Sequence, residues 1–176
     1  MAARNSRPEP DIEPVRVVCM HRRRGAMASR SGQERQREAT RGPARGPASR
    51  GAPEHLQETL TALRKHCPPP LPVVVKLCRL PDDLDGQTIR NPREFIIRLA
   101  RQLDENRLVN VLLHEWAHCL SWSLKHDRIY DDYEAGKTSW TEYEAGCHDG
   151  AFGVAFAQAH VVYTTKVLPT PDEPAS

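Results

Sequence analysis

No two of the five cysteines, Cys19, Cys67, Cys78, Cys119 and Cys147, have C-x-x-C spacing, and their number is odd. That pattern argues against a cysteine zinc ribbon and against a disulfide framework. A reducing compartment is expected, and the cytoplasm is the simplest one. Long apolar runs are also missing. None approaches the roughly 18 residues a membrane helix needs. The basic start of the chain lacks the apolar centre of a secretory signal. Glu9, Asp11 and Glu13 stand too early for a good transit peptide. There are no internal repeats.

Lysine is absent from residues 1–50, where 12 arginines face 5 acidic residues, a balance of +7. Residues 51–176 carry a balance of −5. Such asymmetry describes a basic tail on a neutral-to-acidic domain. Residues 1–52 are rich in Arg, Gly, Pro and Ser and poor in large apolar groups. They offer too little buried surface to offset ordering entropy, so disorder is expected there. An arm for nucleic acid or an acidic partner is one use of such a tail. An ordinary solvated tail, or a chain that begins at Met27, is the plainer and favoured reading.

The whole chain of 176 residues has room for one domain with a real core and hardly two. Order is expected over residues 53–165, with 166–176 as a Pro-rich tail. Leu56, Leu60 and Leu63 fall at helical spacing, and Cys67-Pro-Pro-Pro70 ends that helix. "LPVVVKLCRL" and "REFIIRLAR" read as strands, with "QTIR" as a short return strand. Asp85-Gly86 is expected at a hairpin tip and Asn91-Pro92 at a turn. A helix of about five turns follows, capped by Asp104. Residues 125–147 read mostly as loop, with Ser139-x-x-Glu142 able to cap one short turn. A last helix carries Phe152, Phe156, Ala159 and Tyr163 on one stripe. The class is α+β: an N-terminal helix, a three-stranded sheet, a long helix, a loop and a C-terminal helix.

The long helix contains "HEWAH", residues 114–118. Residues i and i+4 share a helix face, so His114 and His118 can bind one ion. Glu115 lies about 100 degrees round the helix, placed to hold a water on that ion. Two ligands and a general base are the physical content of H-E-x-x-H. Two satisfied core histidines are the bland alternative. Burying three polar groups in so apolar a helix is costly unless something pairs them, and a metal does. A catalytic zinc needs a third protein ligand. The histidine six residues on that an extended motif would supply is replaced by Leu124, and Ser121 stands where its glycine would be. Three sources remain: His126, a loop carboxylate (Glu142 or Glu144), and His148. His148 is preferred, because a ligand at a helix start is held by a rigid element. Asp149 beside it could orient an imidazole.

"HEWAH", a loop, then "HDGAF" resembles the SprT-like and WLM zincin metallopeptidases, in a compact bacterial or phage-type version without a zinc ribbon. The resemblance covers residues 53–165 and maps onto His114, Glu115, His118, His148 and Phe152. It implies a small zincin-like domain, a zinc cofactor and a peptide or protein substrate. The stretch between His118 and His148 is longer than in many members, which keeps Glu142 and Glu144 open as ligands. DNA-linked roles of some relatives do not transfer. The expected chemistry is peptide hydrolysis by a zinc-activated water, with Glu115 as base. An edge strand, "REFIIRLAR", is expected to pair with substrate. Tyr130, Tyr133, Tyr143 and Tyr163 are possible oxyanion donors, with a structural role the favoured reading of each. The alternatives are a catalytically inactive metal-stabilised binding module with a basic arm, or hydrolysis of a non-peptide amide.

Overall fold

A computed structural model describes the backbone of residues 16–22 and the whole of residues 53–168. The described elements are β1 (Arg16–Arg22), α1 (Glu54–His66), β2 (Val73–Cys78), β3 (Leu84–Arg90), β4 (Phe95–Ala100), α2 (Glu105–Ser121), α3 (Leu124–Glu134), α4 (Trp140–Cys147) and α5 (Gly150–Lys166). The α+β class holds, as does the order of helix, strands, long helix and last helix. The strands form one sheet in the order β1-β3-β4-β2. β2 runs parallel to β4, and β3 is antiparallel to both β4 and β1.

β4 shows why the sheet buries one face. Phe95, Ile97 and Leu99 alternate along the strand and are all fully buried. Each contributes about 1.5–3 kcal/mol of apolar burial. They meet Leu56, Leu60 and Leu63 of α1, Leu108, Val111 and Leu112 of α2, and Ala159 and Val162 of α5 in one core. The Asp104 carboxylate caps α2 by accepting from the Arg107 amide at 2.9 Å. α1 has no side-chain cap of its own. Instead Glu105 reaches across to accept from the His55 amide at 2.8 Å, tying the starts of α1 and α2 together.

Four expectations need correction. First, disorder throughout residues 1–52 fails at 16–22, where "RVVCMHR" adds a fourth strand antiparallel to β3. Averaged composition hides this short run of strand formers, Val17 to Met20, and β3 offers it a free edge. Residues 1–15, 23–52 and 169–176, with the basic arm, lie outside the described residues. Second, Asp85-Gly86 is no hairpin tip. The turn comes earlier, with the Leu84 amide donating to the Pro81 carbonyl at 2.9 Å. Asp85 is buried against the Arg107 guanidinium, at 2.8 and 3.0 Å. Third, β4 lies between β3 and β2, so both its edges are taken and it cannot pair with a substrate.

Fourth, residues 125–147 are mostly helix rather than loop. α3 and α4 bury little and pack on each other through Ile129, Tyr130, Tyr133, Trp140, Tyr143 and Cys147. Two short helices that share a small aromatic cluster leave no long apolar stripe in the sequence. The Ser139–Glu142 capping box does form, at the start of α4. No helix among the described residues is long and apolar enough to cross a membrane.

Candidate metal centre

α2 brings His114 and His118 to one face, as their spacing requires. The chain then leaves α2 at Trp122, runs through α3 and α4, and returns at His148, the C-cap of α4. α5 begins two residues later and packs along α2. The result is convergence. The His114 and His118 Nε2 atoms are 3.2 Å apart, and the His114 and His148 Nε2 atoms 3.1 Å apart. One nitrogen from each of the three rings lies within 4.8 Å of the other two, a group able to hold a metal ion.

The donor set fits a cation better than it fits itself. An imidazole nitrogen has either one proton or one lone pair in the ring plane. His114 Nε2 can therefore make a good hydrogen bond to one neighbour and not to both. Nitrogens about 2.0–2.1 Å from a tetrahedral zinc stand about 3.4 Å from each other, close to the spacing seen. A cation bound by one nitrogen of each ring would satisfy all three at once.

Phe152 seals one side of the group. Its ring centroid is 5.0 Å from that of His114, 4.5 Å from His118 and 4.6 Å from His148. Phe156 stacks on Phe152, so an aromatic wall continues along α5. His118 is fully buried, while His114 and His148 are half-buried. Burial holds the His148 imidazole below its ordinary pKa, against a smaller opposite pull from Glu144, which favours the neutral ligand form.

Glu115 is 0 % exposed. Its Oε2 accepts from the Thr88 hydroxyl at 2.7 Å, and its Oε1 has no hydrogen-bond partner among the described residues. Burial pushes its carboxyl up to about 8, with the Thr88 hydroxyl opposing. Gly86, one pleat before Thr88 on the same strand face, lets β3 come down on this carboxylate. A Cβ at Gly86 would collide with Val111 and lie 2.9 Å from Glu115 Oε1. Cys119, one turn on, has its thiol raised well above its ordinary value by burial and then by the Glu115 charge.

The other candidates stand elsewhere. Glu142 is exposed, its carboxylate accepting from the Ser139 amide and hydroxyl at 2.8 Å each. Glu144 is exposed, and its backbone carbonyl accepts from the His148 amide. His126 is buried, but its Nδ1 accepts from the Ser123 amide at 3.1 Å and so caps α3. Asp149 orients no imidazole. One of its oxygens caps α5 through the Ala151 and Phe152 amides, and the other binds Lys125 at 2.8 Å. The tyrosines have structural partners: Tyr130, Tyr133 and Tyr143 form the α3–α4 cluster, and the Tyr163 hydroxyl bonds His55 Nε2 at 2.8 Å. Thr88 and Gly86 are the residues that sequence reasoning missed. The signal was there in the two-residue period of "GQT" before the helix, but it needs the pairing register to be read.

Compared with protein-family models, curated proteins and solved structures, the chain matches none. The likeness to SprT-like and WLM zincins therefore rests on the quoted residues alone.

Proposed function

We propose that this protein is a zinc-dependent metallopeptidase of a compact zincin-like kind, with His114, His118 and His148 as ligands and Glu115 as general base. The observation that carries the proposal is a buried carboxylate one residue from a convergent three-histidine group. A buried, half-satisfied carboxylate is costly for a fold to keep, and such costs collect at functional sites. Imidazole donors suit zinc. Zinc in such a site activates a water molecule and polarises a carbonyl.

The chain's own residues do the rest. The three histidines come from α2 and from the α4–α5 junction, so the site is held by two packed helices. Phe152 keeps water from one side. Thr88 fixes the Glu115 carboxylate through Oε2 and leaves Oε1 to take a proton from the attacking water. Glu115 then passes that proton to the leaving amine. A nearby cation favours the charged carboxylate and offsets the effect of burial. An intracellular, reducing setting, with the cytoplasm as its simplest case, is part of the same proposal.

One observation favours a second reading. Glu115 is entirely covered, and a protonated Glu115 would serve as a core hydrogen-bonding group in a metal-stabilised binding module without turnover. Cleavage of casein by the zinc-loaded chain decides between them. The peptidase reading expects chelator-sensitive cleavage that Glu115→Gln lowers about 100- to 10,000-fold while zinc stays bound. Full activity in Glu115→Gln with zinc bound would refute the proposed base. A zinc-loaded wild type that cleaves nothing would favour the binding module.

A further inference from the structure

β3 is the strand that touches Glu115, through Thr88 and Gly86. One of its edges belongs to β4. The other is covered along its whole length by β1, from Arg16 opposite Arg90 to Arg22 opposite Leu84. Cys19 stands opposite Thr88, and His21 opposite Gly86. The β1 backbone also runs close to α2, α3 and α4. An extended peptide that adds to a sheet edge uses the same ladder of main-chain bonds. Among the described residues, the β3 edge is the one at which such a peptide would lie beside Glu115.

We propose that residues 16–22 occupy, in cis, the edge at which this protein binds extended peptide, so that β1 competes with substrate from within the chain. The proposal rests on the peptidase reading for its meaning, while peptide binding at the edge is measurable without turnover. Three observations support it. β1 is antiparallel to β3, as an added peptide strand can be. It comes from a part of the sequence far from the other strands, joined to α1 only through the chain from 23 to 53. Its pairing is also irregular, with register shifts between Val17 and Cys19 and between His21 and Arg22. Irregular ladders lose hydrogen bonds and suit a strand that must leave. A β1 that leaves the edge free about one-tenth of the time weakens a competing peptide about tenfold without sealing the edge.

The test locks β1 in place in the full chain. Met20 and Gln87 are register partners, so Met20→Cys with Gln87→Cys places a disulfide across the β1–β3 pair. Mass spectrometry of the linked peptides confirms the bridge. The probe is a fluorescently labelled peptide, RVVSMHR, which is the β1 sequence with serine for cysteine. The reduced chain should bind it saturably, and the oxidised chain at least about tenfold more weakly. Equal affinity in both states, or no binding to the reduced chain, would overturn the proposal. As a second arm, Cys19→Pro with Met20→Pro removes a ladder donor whichever of the two amides faces β3. If it retains a cooperative melt, that chain should bind the probe about tenfold more tightly than wild type, and unchanged affinity would count against the proposal. A chain that binds only when reduced but never cleaves would refute the peptidase and leave this inference standing.

Discussion

Zinc should stabilise this fold through His148, and the size of the effect can be worked out. The three converging histidines join α2 to the α4–α5 junction, so the candidate site exists only when those elements are packed. A ligand that binds only the folded chain adds about 2.7 kcal/mol when its free concentration is about 100 times the dissociation constant. In a folded unit the size of residues 53–168, 1 kcal/mol moves Tm by about 4 °C or more, so zinc should raise it by about 10 °C. His148→Ala leaves two histidines four residues apart on one helix. Loss of a supporting outer contact already costs a metal site about 10- to 100-fold in affinity, and loss of a ligand costs at least the upper figure. At the same free zinc the variant is then about half saturated, worth about 0.4 kcal/mol, or about 2 °C. Differential scanning calorimetry in a zinc buffer reads both shifts. Glu142→Ala, Glu144→Ala and His126→Ala should each keep the wild-type shift. A full shift in His148→Ala, or its loss in one of those three, would refute the assignment of the third ligand.

Other outcomes follow from the same geometry. In chelator the folded chain holds the Glu115 proton up to about 8, whereas an unfolded glutamate releases it near 4.5. Stability contributed by this group therefore falls as pH rises between those values, by up to about 1.4 kcal/mol per pH unit, and levels off above them. Urea unfolding of wild type and Glu115→Gln at pH 5, 6, 7 and 8 isolates the slope, and parallel curves would contradict it. Gly86→Ala forces a methyl group against Val111 and Glu115 and should cost about 1–3 kcal/mol in the same assay; a neutral result would mean that β3 does not press on α2. Asp149→Ala should cost about 0.5–2 kcal/mol as a lost helix cap, with zinc stoichiometry unchanged. Lost zinc in a folded Asp149→Ala would instead give Asp149 a role at an imidazole.

The parts of the fold legible in the sequence are those governed by near neighbours along the chain. The α2 register puts His114 and His118 together because four residues make about one turn, whatever surrounds the helix. Asp104 and Ser139 cap because their partners are three residues away. β4 reads as a strand because its buried residues alternate. What failed depends on distant partners. Gly86 looks like turn chemistry in sequence, but it is a strand glycine because α2 lies where a Cβ would go. β1 is invisible in an arginine-rich average and becomes a strand once β3 offers an edge.

The same division runs through the site. The histidine pair can be read from one helix, and His148 from its place just ahead of the last one. Thr88 could not be foreseen, because its partnership with Glu115 joins residues 27 apart through the sheet register. That partnership bears on mechanism. With one oxygen held by Thr88 and the other unsatisfied, Glu115 is fixed in orientation but not neutralised by hydrogen bonds. A carboxylate meant only to fill the core would be better replaced by an apolar side chain of similar size, since a half-satisfied buried polar group is worse than none. Glu115 follows His114 directly in the chain, and a cation held by the three imidazoles would favour ionising the same carboxylate that burial protonates.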